Sequence, residues 1–218
     1  NGEKKDYNFY LKYNFQATEK LSLFADLQSR NINYSIVGID DDLRDLGQSH
    51  DFHFFNPKFG AFYEPENNQK IYLSFAVANR EPNRTSYVDK DPSGKTPQQE
   101  TLYDWEAGYN YSSAKFSFSA NYYFMSYKNQ LVLTGEINDV GAPIMDNVDK
   151  SFRTGVELQA GVQIIKNIQW NGNVTLSNNK IKDFTEYVDN WDTWGQEIYE
   201  LGTTDLAFSP NFIQTLGL

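Results

Sequence analysis

The feature that most constrains this chain is a strict alternation of two connection lengths between runs of period-two sequence. Tyr7, Phe9, Leu11, Tyr13 and Phe15 share one parity, and Leu21, Leu23, Ala25 and Leu27 share the next. The pattern recurs at Ile71 to Val77, Tyr103 to Tyr111, Phe116 to Phe124, Phe152 to Ile164 and Ile168 to Leu176. Successive side chains of a strand point to opposite faces, so these runs predict about nine strands, each with one apolar face. Short connections fall near 16–20, 64–69, 112–115 and 165–167. Long ones fall near 36–48, 80–99, 137–147 and 183–205. Because the two kinds alternate, every short turn lies at one end of an antiparallel up-and-down meander and every long loop at the other.

The apolar faces need a cover, and two covers are possible. In a secreted or surface β-sandwich, such as a lectin or adhesin module, a second sheet supplies it, with Greek-key connections and strands of about five or six residues. In a transmembrane β-barrel, lipid supplies it. The run 115–134 contains no turn residue and at about 3.3 Å per residue would span roughly 65 Å. That is too long for a sandwich, and it exceeds even the apolar band of about 25 Å in a barrel wall, so the reading is a tall barrel that projects past the membrane. The mean hydropathy of −0.64 does not oppose this, because barrel strands show apolar residues only at every second position. Nor is there a run of about 18 apolar residues to make a membrane-spanning helix. The 15 Tyr, 16 Phe and 4 Trp favour pleated structure over helix.

Several chemistries find no support. A net charge of −10 without clustered Lys and Arg argues against nucleic acid as a partner. The chain has no Cys, hence no disulfide and no thiolate metal site. His50 and His53, three apart on a strand, face opposite ways and make no metal pair. The triplet Asp40-Asp41-Asp42 lacks the spacing of a calcium loop and reads as a solvated loop tip. There is no phosphate-binding glycine loop, nucleophile elbow or His-Glu-x-x-His, so neither an enzyme nor a cofactor is expected. The opening Asn1-Gly2-Glu3-Lys4-Lys5 has neither Met nor the apolar core of a signal peptide and reads as a mature or internal segment.

Two sets of residues are candidates for ligand binding on the long loops. Arg80 and Arg84 in "NREPNR" could grip an anion, since guanidinium matches carboxylate geometry; the alternative is a loop salt bridge to Glu81 or Asp89. Tyr187, Trp191, Trp194 and Tyr199 interleave with seven acids in the stretch 183–205, which has no Lys or Arg. Those rings could stack on a ligand, or they could pack the loop onto its neighbours.

Three segments resemble the β-barrel of TonB-dependent outer-membrane receptors, particularly those of Bacteroidetes type. They are "YLSFAVANREPNR" at 72–84, "TPQQETLYDWEAGY" at 96–109 and "NVDKSFRTGVELQAGVQI" at 147–164. The similarity runs from about Tyr7 to "FSPNF" at 208–212. It implies that residues 1–218 are part of a 22-stranded barrel in the outer membrane of a Gram-negative cell, in contact with lipid and lipopolysaccharide. No plug, TonB-contacting box or terminal strand of the family is visible in them. The resemblance further implies active uptake of a scarce extracellular ligand, driven by the TonB complex acting on the plug. An iron-siderophore complex leads as cargo, with haem, cobalamin or a glycan as alternatives. Finally, "FNPKF" at 55–59 and "FSPNF" at 208–212 each place a Pro where a strand returns from a long loop. Pro cannot donate to a ladder, so each site is expected to carry a bulge or an unpaired position.

Overall fold

The computed structural model describes residues 1–39, 43–90, 95–138 and 141–218, so the triplet Asp40-Asp41-Asp42 lies outside the described residues. The strands are β1 (Gly2–Gln16), β2 (Leu21–Ile36), β3 (Gln48–Tyr63), β4 (Gln69–Arg80) and β5 (Glu100–Ser112). Then come β6 (Phe116–Ile137), β7 (Pro143–Ile165), β8 (Ile168–Asn190), β9 (Gly195–Asp205) and β10 (Phe212–Gly217). All belong to one antiparallel sheet in which each strand from β1 to β8 pairs with the next in sequence. There is no second sheet among the described residues to cover an apolar face, so the sandwich reading falls away.

The ladder joins the period-two runs into continuous rows. One row reads Phe15, Leu23, Ala61, Leu73, Ala107, Tyr122, Val156, Leu176 and Phe212 across the whole sheet. Its face lies bare: Phe9 is 79% exposed, Leu11 64% and Leu73 57%. An uncovered apolar face of this extent is untenable in water and is what a lipid-facing wall requires.

The apolar band also fixes how the strands lean. On β1 it runs from Tyr7 to Phe15, and on β8 from Ile168 to Leu176, with Phe15 and Leu176 on the same row. The band centre therefore slides by about eight residues across seven interstrand steps. At about 3.3 Å per residue and 4.8 Å per strand, that is roughly 26 Å over 34 Å. A band held level by the bilayer then tilts the strands by about 38°, within the usual 35–45° for barrels in membranes.

The opposite face is polar but carries three aromatics laid over glycines directly across the ladder. Phe24 faces Gly60, Tyr72 faces Gly108, and Tyr123 faces Gly155. A Cβ at Gly108 would stand 2.2 Å from the Tyr72 ring, and one at Gly60 would stand 2.4 Å from Phe24. Only glycine lets the ring lie flat on the neighbouring strand. Tyr123 belongs to this inner set while Tyr122 faces lipid, because consecutive residues alternate faces.

Two expectations change. The stretch 183–205 is no loop: β8 continues to Asn190, turns, and returns as β9, so the wall simply rises there as a hairpin. The connection expected over 137–147 is likewise shorter, since β6 ends at Ile137 and β7 begins at Pro143. Both β9 and β10 pair with β8, and β10 resumes the downward course after an excursion at 206–211. The ten strands thus fill about nine positions in the wall. That excursion contains Pro210, and Asn179 clamps it by donating to Ser209 O and Asn211 Oδ1, both at 3.3 Å. The other proline, Pro57, marks the place where β3 stops pairing with β4, whose ladder begins at Lys58. Beyond it the Asn56 side chain takes over, accepting from the Asn79 backbone N–H at 3.0 Å.

Leu158 lies within the band and Gln159 on the polar face. Replacing Leu158 by Arg is expected to cost about 2–4 kcal/mol in denaturant titrations of the receptor refolded into lipid vesicles. Gln159→Arg should cost far less, and equal losses would contradict the face assignment.

Candidate functional site

At the long-loop end, the polar face turns apolar. Ile32 and Ile36 of β2 are each 1% exposed, and Phe54 of β3 joins them. What buries this end is the connection between β4 and β5. Asn83 caps a short helix, α1 (Arg84–Val88), by accepting from the Ser86 backbone N–H at 2.8 Å, which satisfies a donor the first turn would leave unpaired. The helix delivers Tyr87 inward, where its ring stacks on His50 at 4.0 Å and lies 6.3 Å from Tyr34. The Tyr87 hydroxyl is buried without a protein partner, and burial pushes its ionisation well above the ordinary range.

Charged residues flank this plug of aromatic side chains. Glu81, just past β4, receives Lys4 at 2.5 Å and Arg30 at 3.1 Å. Arg30 also holds Asp6 with both its Nε and its Nη2. Burial pushes the Glu81 carboxyl up, but Lys4 and Arg30 outweigh it and hold the group below its ordinary value. Arg80 bonds Glu100, its ladder partner on β5, at 2.6 Å. Glu100 is buried and accepts the Leu131 backbone N–H at 2.5 Å with its other oxygen. The salt-bridge partner of Arg80 is therefore Glu100, neither Glu81 nor Asp89.

Arg80 and Arg84 come together around a cavity of about 400 Å³ that Lys4, Arg30, Tyr34 and Glu81 also line. Arg84 is exposed and has no carboxylate within salt-bridge distance among the described residues. Three of the four cations are compensated by Asp6, Glu81 and Glu100, and Arg84 is left over. Sequence reasoning missed Lys4, Arg30 and Glu100, which reach the site only through the ladder. The one available signal was that Lys4 and Arg30 stand on the polar parity of their strands.

The four aromatic candidates do not form one site. Trp191 and Trp194 crown the β8–β9 turn, 70% and 85% exposed, edge to face at 6.1 Å. Asn190 shapes that turn by accepting from the backbone N–H groups of Asp192 and Thr193. Tyr187 sits lower and is half-buried; its carbonyl presses on Gly135 of β6, where a Cβ would lie 2.2 Å away. Tyr199 lies on β9 and donates to Glu197. The cationic cavity and this hairpin are four strands apart.

Residues 1–217 match the family model described as TonB dependent receptor-like, beta-barrel. The chain belongs to the TonB-dependent receptor family. Its fold is similar to that of the ferric yersiniabactin uptake receptor FyuA from Yersinia pestis, with a TM-score of 0.73, 14% identity, and coverage of 98% of this chain and 30% of that one. Similar too are the copper transporter OprC, at 0.72, 14% identity, 83% and 30%, and the ferric-catecholate import receptor Fiu from E. coli K12, at 0.71, 17%, 99% and 32%. The chain thus spans about 30% of the length of these receptors. No match was found among curated proteins. As in other TonB-dependent receptor barrels, the wall stands in the Gram-negative outer membrane, and the long connections face outward.

The site yields two predictions. Since the Tyr87 hydroxyl has no protein partner, Tyr87→Phe should leave the loop docked, whereas Tyr87→Ala should cost about 3 kcal/mol of local stability. Limited proteolysis of the connection 81–99 reads both. For Glu81 the folded value is depressed, so its contribution is present above pH 4.5, its ordinary value, and is lost as pH falls through the lower folded value. Cleavage of 81–99 should therefore rise on acidification, and Glu81→Gln should already be loose at neutral pH.

Proposed function

We propose that residues 1–218 form one stretch of the barrel of an outer-membrane receptor that takes up an anionic iron chelate, a ferric siderophore, by TonB-dependent active transport. The observation that carries this reading is the cavity of about 400 Å³ ringed by Lys4, Arg30, Arg80 and Arg84. Its size suits a small ligand, and Arg84 supplies a guanidinium whose charge no carboxylate among the described residues satisfies. Two of the similar receptors are named for ferric chelates, which is consistent with an anionic cargo. Coupling to the TonB complex runs through the plug of the whole receptor, and the chain's own part is wall and entrance, a transport role rather than an enzymatic one. Haem, cobalamin and a glycan are the competing cargoes, and charge separates the last two from an anionic chelate.

The test is Arg84→Ala in the whole receptor. Loss of one charge-assisted contact is worth about 1.5–3 kcal/mol, so affinity for a ferric siderophore should fall tenfold or more. Arg80→Ala is a poorer probe because it strands the buried Glu100. Unchanged siderophore binding by the Arg84→Ala receptor would overturn the cargo assignment.

A further inference from the structure

The inner face of the wall carries a furrow that the uptake reading uses only at one end. Arg80, which lines the cationic cavity, also lines a second cavity of about 400 Å³ together with Tyr127 and Arg153. Arg153 and Gln130 then line a third, of about 430 Å³, beneath the β8–β9 hairpin. Shared side chains thus join the three end to end. The third cavity exists because β8 parts from its neighbour. The β7–β8 ladder stops where Ser151 meets Ile181, whereas β6 and β7 stay paired up to Ile137 and Pro143. Above Ile181, β8 passes a bulge at Asp183, with φ of 52°, and comes to rest on β6, where the Tyr187 carbonyl meets Gly135. The space under that crossing is the cavity. It opens on the inner face, since Arg153 and Ile181 share the parity of Gly155 along the ladder.

The furrow changes character along its length. At one end are cations. Arg84 has no carboxylate partner among the described residues, and neither has Arg153, whose guanidinium lies over the Tyr127 ring at 5.7 Å and whose Nε is buried without an acceptor. At the other end is hydrocarbon. Val132, Ile181, Phe184 and Leu206 pack together at the third cavity, and the half-exposed Leu201 and the open Phe208 extend its apolar lining. Glu186 and Asp205 border this end too, so an anion is held back at the arginines and a neutral apolar group is what enters. A small polar anion would fill the cationic end and leave the apolar pocket facing water, which is unfavourable. A ligand with an anionic head and an apolar tail satisfies both.

We infer that the cargo is an acylated ferric chelate, its anionic head held between Arg84 and Arg153 and its acyl chain in the cavity under the β8–β9 hairpin. This rests on the uptake reading and names the class of chelate. The geometry also sets the length of the tail. From β7, which carries Arg153, to β9, which carries Leu201, is two strand spacings, about 10 Å. An extended chain advances about 1.2 Å per bond, so about eight carbons bridge that distance.

The experiment measures binding to the whole receptor in lipid nanodiscs of one ferric tris-catecholate chelate carrying straight acyl tails of two, four, eight or twelve carbons. Affinity should rise by up to about fourfold per methylene as far as about eight carbons, and then level off. L201D sets a carboxylate in the tail pocket and should cut the gain from two to eight carbons by about tenfold or more, whereas L201M should keep it. Heat-modifiable gel mobility reports that each variant is folded. Affinity that is flat across the tails overturns the inference and leaves the uptake reading standing. So does a gain undiminished in folded L201D, which would put the tail in the bilayer. If the chelate binds at no tail length, the uptake reading itself falls, and the acyl assignment with it.

Discussion

The structure depends on backbone hydrogen bonding that must be complete within lipid. A strand in the bilayer has no water to turn to, so every N–H and C=O has to find the adjacent strand. That requirement locks the register over long distances, and a one-residue slip would send a whole row of Phe, Tyr and Leu into the lumen. The unbroken row from Phe15 to Phe212 shows the lock holding across the entire sheet. The slide of the apolar band between β1 and β8 follows from the same ladder, since a level bilayer and a fixed register leave the tilt as the only free variable. Aromatic rings over Gly60, Gly108 and Gly155 reinforce the register from inside, because each ring fits only where a glycine stands opposite.

Where lipid dictates the side chains, the sequence was legible. The runs at 7–15, 71–77 and 103–111 carry one apolar parity, and their turns fall where expected. Legibility ends above the membrane. From Phe184 to Asn190 both faces of β8 meet water or protein, so Glu186 and Val188 share a parity and no period-two signal survives. The hairpin looked like an acidic loop for that reason. Three of its seven acids are engaged with near neighbours: Glu197 accepts from Asn190 and Tyr199, Asp189 accepts from Gln196, and Asp205 pairs with Lys180. The prolines were informative in a different way, since a missing donor acts locally and needs no knowledge of the partner strand. Pro57 ends the β3–β4 ladder and Pro210 lies in the excursion before β10.

The candidate site was half legible. Arg80 and Arg84 stood out as cations in a loop, but their surroundings are assembled by strands distant in sequence. Glu100 reaches Arg80 because β4 and β5 pair, and Lys4 reaches Glu81 across 77 residues of chain. Composition could not reveal that three of four cations are already neutralised. The burial of Tyr87 against His50 was equally hidden, because a lone Tyr in a polar loop carries no periodicity to say that it turns inward.

Seven acids in a hairpin on the same rim would repel an anionic cargo at short range, and geometry removes that conflict. The cavity lies at the end of β4, and the hairpin grows from β8, four strand spacings or about 19 Å along the wall. At physiological ionic strength exposed charges are screened over about 8 Å, so the hairpin carboxylates contribute little potential at Arg84. Arg84 itself, without a carboxylate partner among the described residues and beside the cavity, is the nearer charge there. A wall can thus present opposite charge to solvent at two places on one rim, provided their separation exceeds the screening length. The net charge of −10 belongs to the whole chain and says nothing about the sign of the potential at the entrance.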